Sequence, residues 1–178
     1  MRFDAALVTL NRLADVSAQD DLGDWLEDEG LILHDRLAPG GYSSTPTNTV
    51  AFASTGGDGV HFSLVDLGDG PSETSPVVMT VPMALGDDLR PNWIVGESLP
   101  EFLALGLHGG WFGLEQLAYD PARPGALARA ASVPPSPAID RLAAALDLHP
   151  WPDVEARLAD LQLRVAPVLH LSRGGRGR

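Results

Sequence analysis

Residues 48–106, NTVAFASTGGDGVHFSLVDLGDGPSETSPVVMTVPMALGDDLRPNWIVGESLPEFLALG, decide the fold class. Two apolar runs, Thr49–Ser54 and Val60–Asp66, flank the turn residues Thr55-Gly56-Gly57-Asp58-Gly59. Glycines supply the positive φ that a tight reversal between twisted strands needs, so the pair reads as a β-hairpin. Pro76–Pro82 is rich in β-branched residues and bounded by prolines, which predicts a third strand, and Trp93–Val95 suits a short fourth. The patterning over 49–82 predicts three sequential antiparallel strands with Val50, Phe52, Phe62, Leu64, Val78 and Val81 largely buried. Ser98 followed three residues later by Glu101 forms a capping box, which opens a helix.

Upstream of this stretch, Phe3, Leu7, Leu10 and Ala14 share one helical face and predict a helix over 3–14. Asp20 or Asp21 can cap a second helix, with Leu22, Trp25 and Leu26 on one face and Gly30 at its end. Leu31–Leu37 fits a strand, and the prolines and glycines of 38–48 form a loop leading into the hairpin. Downstream, Gly109 and Gly110 suit a helix stop, and Trp111–Tyr119 reads as a short helix. Five prolines between Asp120 and Pro137 mark a loop or linker, with a short helix around Ala126–Ala131. Ser136-Pro137 starts a helix running to Asp147. His149-Pro150-Trp151-Pro152 interrupts it, and Asp153–Leu163 forms another with Val154, Leu158 and Leu161 on one face. Val165–Leu171 is apolar enough to pack on the body, and 172–178 (SRGGRGR) is expected to be a disordered tail. The fold class is therefore α+β: one domain over 1–171, a mostly antiparallel β-sheet flanked by helices, with a helical C-terminal part.

The 178 residues suffice for one core, and an apolar fraction of 44% is that of a globular chain. No run approaches the length of a membrane span, and Asn11, Arg12 and Asp15 break up the first apolar residues. A cytoplasmic location with no membrane contact is expected. Formal charge is −12, unevenly placed. Residues 1–122 hold 19 acids and 4 arginines, whereas residues 123–178 hold 5 acids and 8 arginines. An acidic body repels nucleic acid and attracts basic proteins. Asp21, Asp24, Glu27, Asp28 and Glu29 crowd one segment without a basic residue, at a cost of a few tenths of a kcal/mol per like pair, roughly. That segment is either a solvated acidic face or a docking surface for a basic partner. Asp66, Asp69 and Glu73 form a second acidic candidate.

Catalytic signatures are sparse. The absence of cysteine excludes disulfides, thiolate zinc sites and cysteine nucleophiles. Gly56-Gly57-Asp58-Gly59 lacks the lysine and hydroxyl of a P-loop and sits between strands. Asp66-Leu67-Gly68-Asp69-Gly70 has glycines where a calcium loop needs its third and fifth ligands. The five histidines show no helical ligand spacing, so neither a metal nor a cofactor is expected. Asp58 and His61, with Ser54, Thr55 or Ser63 as nucleophile, form the one conceivable hydrolytic set, although no nucleophile elbow exists. A structural histidine is the plainer reading.

Three pieces in order, VAFASTGGDGVHFSLVD, SPVVMTVP and VGESLPEFLALG, resemble the SUKH superfamily, also called the SMI1/KNR4 family. The shared pattern is a strand, a Gly-rich turn, a second strand, a Pro-Val strand, and a serine-capped helix. It spans about a third of the chain. The amino-terminal LP-x-x-[YF] segment common in that family has no counterpart in residues 1–47. The resemblance implies an α+β fold without catalysis and a protein-binding role. Many bacterial relatives are immunity proteins that neutralise polymorphic toxins, often nucleases or deaminases; fungal relatives act in regulation through protein interaction. An immunity protein with a basic toxin partner is the expectation, with a regulatory or scaffold domain and a small Asp58/His61 hydrolase as alternatives.

Overall fold

The computed structural model describes residues 3–19, 22–86, 88–120 and 137–172. Two helices come first, α1 (Val8–Ser17) and α2 (Leu22–Asp28), followed by strands β1 (Ile32–Ala38), β2 (Thr49–Ser54), β3 (His61–Val65), β4 (Val77–Thr80) and β5 (Asn92–Gly96). Helix α3 (Leu99–Gly106), a 3-10 turn (Phe112–Glu115) and α4 (Gln116–Tyr119) follow, and then α5 (Pro137–Leu146), α6 (Val154–Arg164) and a 3-10 turn (Ala166–Val168). Among the described residues no helix is long and apolar enough to cross a membrane. Asp21, the proline-rich 121–136 with its predicted short helix, and 173–178 lie outside the described residues.

The five strands form one antiparallel sheet in the order β1-β2-β3-β4-β5, each pairing with its sequence neighbour. Paired residues on adjacent strands point to the same side of a sheet. Phe62 therefore shares a face with Met79 and Trp93, and Leu64 with Val77. Helix α3 covers this face. Its Phe102 ring stands 4.8 Å from that of Phe62 and 5.7 Å from that of Phe52. The opposite face carries His61, Ser63, Val78, Thr80 and Ile94. Loop 39–48 lies over it, held by Thr45 on His61 and by Asn92 Nδ2 donating to Ser44 O at 2.9 Å.

Covering both faces overrides the expected alternation: every residue of β3 and β4 is buried. Phe52, Phe62, Leu64, Val78 and Val81 are fully buried as predicted, but Val50 is only half-buried. The reason lies in β1, whose pairing ends at Ala38 opposite Ala51, so Val50 has no neighbour on that side. Between Leu33 and Ala38 the β1 register shifts against β2, and the chain bulges outward. Charged Asp35 and Arg36 occupy the bulge and are exposed, a combination that blunts an edge strand against foreign pairing.

The helix ends follow local chemistry. Gly30 adopts φ +83 after α2, and a side chain there would also strike the Phe112 backbone. The predicted capping box forms in part. Ser98 Oγ accepts from the Glu101 amide at 3.4 Å, but the Glu101 carboxylate reaches back to the Glu97 amide, one residue before the cap. The first helix starts at Val8 rather than Phe3, although Leu7 and Leu10 are fully buried as anticipated. Asp153 caps α6 by accepting from the Ala156 amide at 3.0 Å.

Candidate functional site

The acidic residues singled out by the sequence separate into two groups once their partners are known. Asp66 Oδ1 accepts from the amides of Gly68 at 2.7 Å and Gly70 at 2.9 Å, so it organises its own loop. Glu73 crosses to another element: its Oε1 accepts from the Thr9 amide at 2.7 Å. Leu7, at the N-cap position of α1, offers no side-chain bond, and Glu73 supplies the missing acceptor and a favourable charge at that end. Glu29 is half-buried, and its carbonyl accepts from the amides of Trp111 at 2.7 Å and Phe112 at 2.9 Å. Asp66 and Glu73 thus hold the scaffold through their carboxylates, and Glu29 through its main chain.

Asp24, Glu27 and Asp28 are different. All three are exposed on α2, and none forms an ion pair or side-chain hydrogen bond among the described residues. Asp24 lies three residues from Glu27 and four from Asp28, so the carboxylates stand on adjoining turns of one surface. Asp69 is exposed as well, in the loop that Asp66 organises. Among the described residues the α2 surface is therefore an anionic patch without partners, whereas Asp66 and Glu73 of the 66–73 loop are engaged.

At the β5–α3 corner, by contrast, three carboxylates are paired with arginines. Arg157 on α6 donates to Glu101 Oε1, Glu97 Oε2 and Asp160 Oδ2, each at 2.7 Å. Arg164 joins Glu97 at 3.1 Å and Asp160 at 2.7 Å. The bonds from Arg164 and then Arg157 hold the Glu97 carboxyl at about 2, well below its ordinary 4.5. This network ties α6 to the β5–α3 corner. Helical spacing accounts for Arg157, Asp160 and Arg164, but gives no sign of Glu97 and Glu101, which lie 60 and 56 residues from Arg157.

The conceivable Asp58–His61 pair does not assemble. His61 Nδ1 lies 2.7 Å from Gly59 O, and Nε2 lies 3.1 Å from Thr45 Oγ1. Both ring nitrogens are thus occupied, with Nδ1–H donating to the carbonyl and Nε2 accepting from the hydroxyl. Burial pushes the imidazole below its ordinary value, opposed by the bond to Gly59. Tyr42 stacks on the ring at 5.8 Å. Asp58 itself takes φ +48 in the hairpin turn. Ser63 is fully buried in β3, and its hydroxyl has no hydrogen-bond partner among the described residues.

Sequence reasoning did not find the cavity of about 250 Å³ beside this histidine, lined by His34, Tyr42, Ser54 and His61. His34 faces it from the bulge of β1 and bonds the Ala51 backbone, and burial lowers its imidazole. Among the described residues no group of three or more His, Asp or Glu side chains is placed to hold a metal ion. No family model matches the chain, and no curated protein or solved structure matches it.

Proposed function

We propose that the protein is a non-catalytic module that binds a basic protein, and that it serves as an immunity protein against a nuclease or deaminase toxin. The observation that carries this reading is the patch of Asp24, Glu27 and Asp28, exposed and without a cationic partner among the described residues, in a molecule whose Asp66, Glu73, Glu97, Glu101 and Asp160 carboxylates are engaged by arginines or amides. Like charges on adjoining turns repel, and of the three only Asp24, in the first turn of α2, is favoured by the helix dipole. Toward a basic partner the same charges accelerate encounter and make it salt-sensitive. The resemblance of the hairpin and α3 region to the SMI1/KNR4 family supports the same reading.

The test begins with capture of partners from source cells on the immobilised chain and proceeds to reconstitution from purified components. The expected result is a stoichiometric complex with one basic protein, whose toxicity co-expression of this chain suppresses. Replacing Asp24, Glu27 and Asp28 by Asn, Gln and Asn should slow association and flatten its dependence on salt. An unchanged rate and salt slope would return α2 to the role of a solubilising face. Failure to bind or neutralise any protein would end the immunity reading.

A further inference from the structure

The carboxylates of α2 border an opening that the sequence does not announce. Between the end of α1, helix α2 and the start of β1 lies a cavity of about 250 Å³, lined by Ala14, Ala18, Leu26, Leu31, Leu33 and Glu27. Alanine and leucine side chains form most of its walls. Glu27 is exposed at the rim and has no cationic partner among the described residues.

A second source of negative potential converges on the same place. Ser17, the last residue of α1, also lines the cavity. Its carbonyl abuts α2 so closely that a Cβ added at Gly23 would stand 2.7 Å from the oxygen. A helix C-terminus carries roughly half a unit of negative charge, which a basic side chain in the last turn ordinarily offsets. The last turn of α1 has none, and the sequence holds no arginine or lysine between Arg12 and Arg36. The opening therefore combines a largely apolar bore with an anionic mouth that no basic residue of α1 or α2 offsets.

We infer that this cavity receives an arginine side chain of the basic partner, an inference that rests on the protein-binding reading above. The three methylenes of arginine match the walls formed by Ala14, Leu26, Leu31 and Leu33. The guanidinium then reaches Glu27 and the end of α1. Arginine fits better than lysine, because a guanidinium is less strongly hydrated and its planar fork pairs with a carboxylate through two bonds. A neutral aliphatic side chain would fill the walls and leave the charges unanswered.

The probe is n-butylguanidinium, titrated into the ¹⁵N-labelled full chain, with n-butylurea as neutral isostere and n-butylammonium as the competing cation. Saturable shifts at the amides of Ala14, Ala18, Leu26, Glu27 and Leu31 are expected with the guanidinium, weaker ones with the ammonium, and none with the urea. Glu27→Gln should weaken binding about fivefold, the value of one partly exposed ion pair. Ala18→Phe keeps every charge, sits at an exposed position, and should abolish binding by plugging the bore. Three results would each overturn the inference: no shifts at these amides, non-saturating shifts spread over all acidic surfaces, or saturable binding indifferent to Ala18→Phe. The titration needs no partner protein, so its failure removes the cavity from the interface without touching the capture experiment. A partner that binds equally well to the Ala18→Phe chain would separate the two in the other direction.

Discussion

Gln162 holds both main-chain polar groups of Ile94: its Oε1 accepts from the Ile94 amide at 3.1 Å, and its Nε2 donates to the Ile94 carbonyl at 2.8 Å. One side chain of α6 thereby imitates a neighbouring strand along the outer edge of β5. The opposite edge, β1, is blunted by its charged bulge instead. The two edges of the sheet are guarded by different devices.

Gln162→Ala should cost about 1–3 kcal/mol, since it leaves a donor and an acceptor unpaired against α6. Gln162→Met keeps the packing and should lose a similar amount. Denaturant midpoints measure both, and sizing at high concentration reports edge pairing. Midpoints equal to that of the parent would show that water replaces the amide without loss.

Glu73→Ala should destabilise α1 by about 0.5–2 kcal/mol, the usual range for a lost N-terminal cap. Glu73→Gln retains an acceptor oxygen without the charge and should fall between parent and alanine variant. Hydrogen exchange at the Thr9 amide reads the effect locally. Unchanged protection there would mean that Glu73 is dispensable to the helix.

Acid should loosen the corner where α6 meets β5. Arg164 and Arg157 lower the Glu97 carboxyl to about 2, so the stability it contributes is complete above its ordinary 4.5 and is lost as pH falls toward 2. Glu97 is 46% exposed, which limits the effect to under about 1 kcal/mol. Unfolding curves between about pH 5 and pH 2 should fall less steeply for Glu97→Gln than for the parent. Parallel profiles would show that the network carries no net stabilisation.

His61 gives the protein a second pH dependence of the same sign. Burial disfavours its charged form, so folding is fully supported above the unfolded value near 6.5 and weakens as pH falls through the lower folded value. The same direction holds for His34 and His108, again through burial. NMR titration of the imidazole carbons should place His61 below 6.5. A midpoint above that value would mean that the bond to Gly59, which favours the charged ring, outweighs burial.

Replacing Asp24, Glu27 and Asp28 together by their amides should leave thermal stability unchanged or raise it slightly, because like charges at three- and four-residue spacing repel. A loss above about 1 kcal/mol would assign them a structural role instead. Calorimetry on the isolated chain suffices.

Chain-local chemistry made much of this protein legible before folding. β2 spans Thr49–Ser54 as its residues predict, and the glycines around Asp58 turn it into β3. Ser98 and Asp153 start their helices as caps, while Gly30 and Gly110 sit at positive φ after α2 and α3. Each of these outcomes depends on residues within a turn or two of one another, and propensity, capping and turn geometry act over that range.

The fate of the charges was decided only by tertiary structure. In sequence Glu73 and Asp69 look alike, yet Glu73 bonds an amide 64 residues away while Asp69 stays exposed. Glu97 and Glu101 find Arg157 at separations of 60 and 56 residues. Residues in β3 and β4 that alternation would send to solvent are buried because loop 39–48 crosses the second face. Pattern within a segment records which side chains share a face; whether that face meets water, hydrocarbon or an opposite charge depends on which distant segment packs there, and that is fixed only when the whole chain closes on itself.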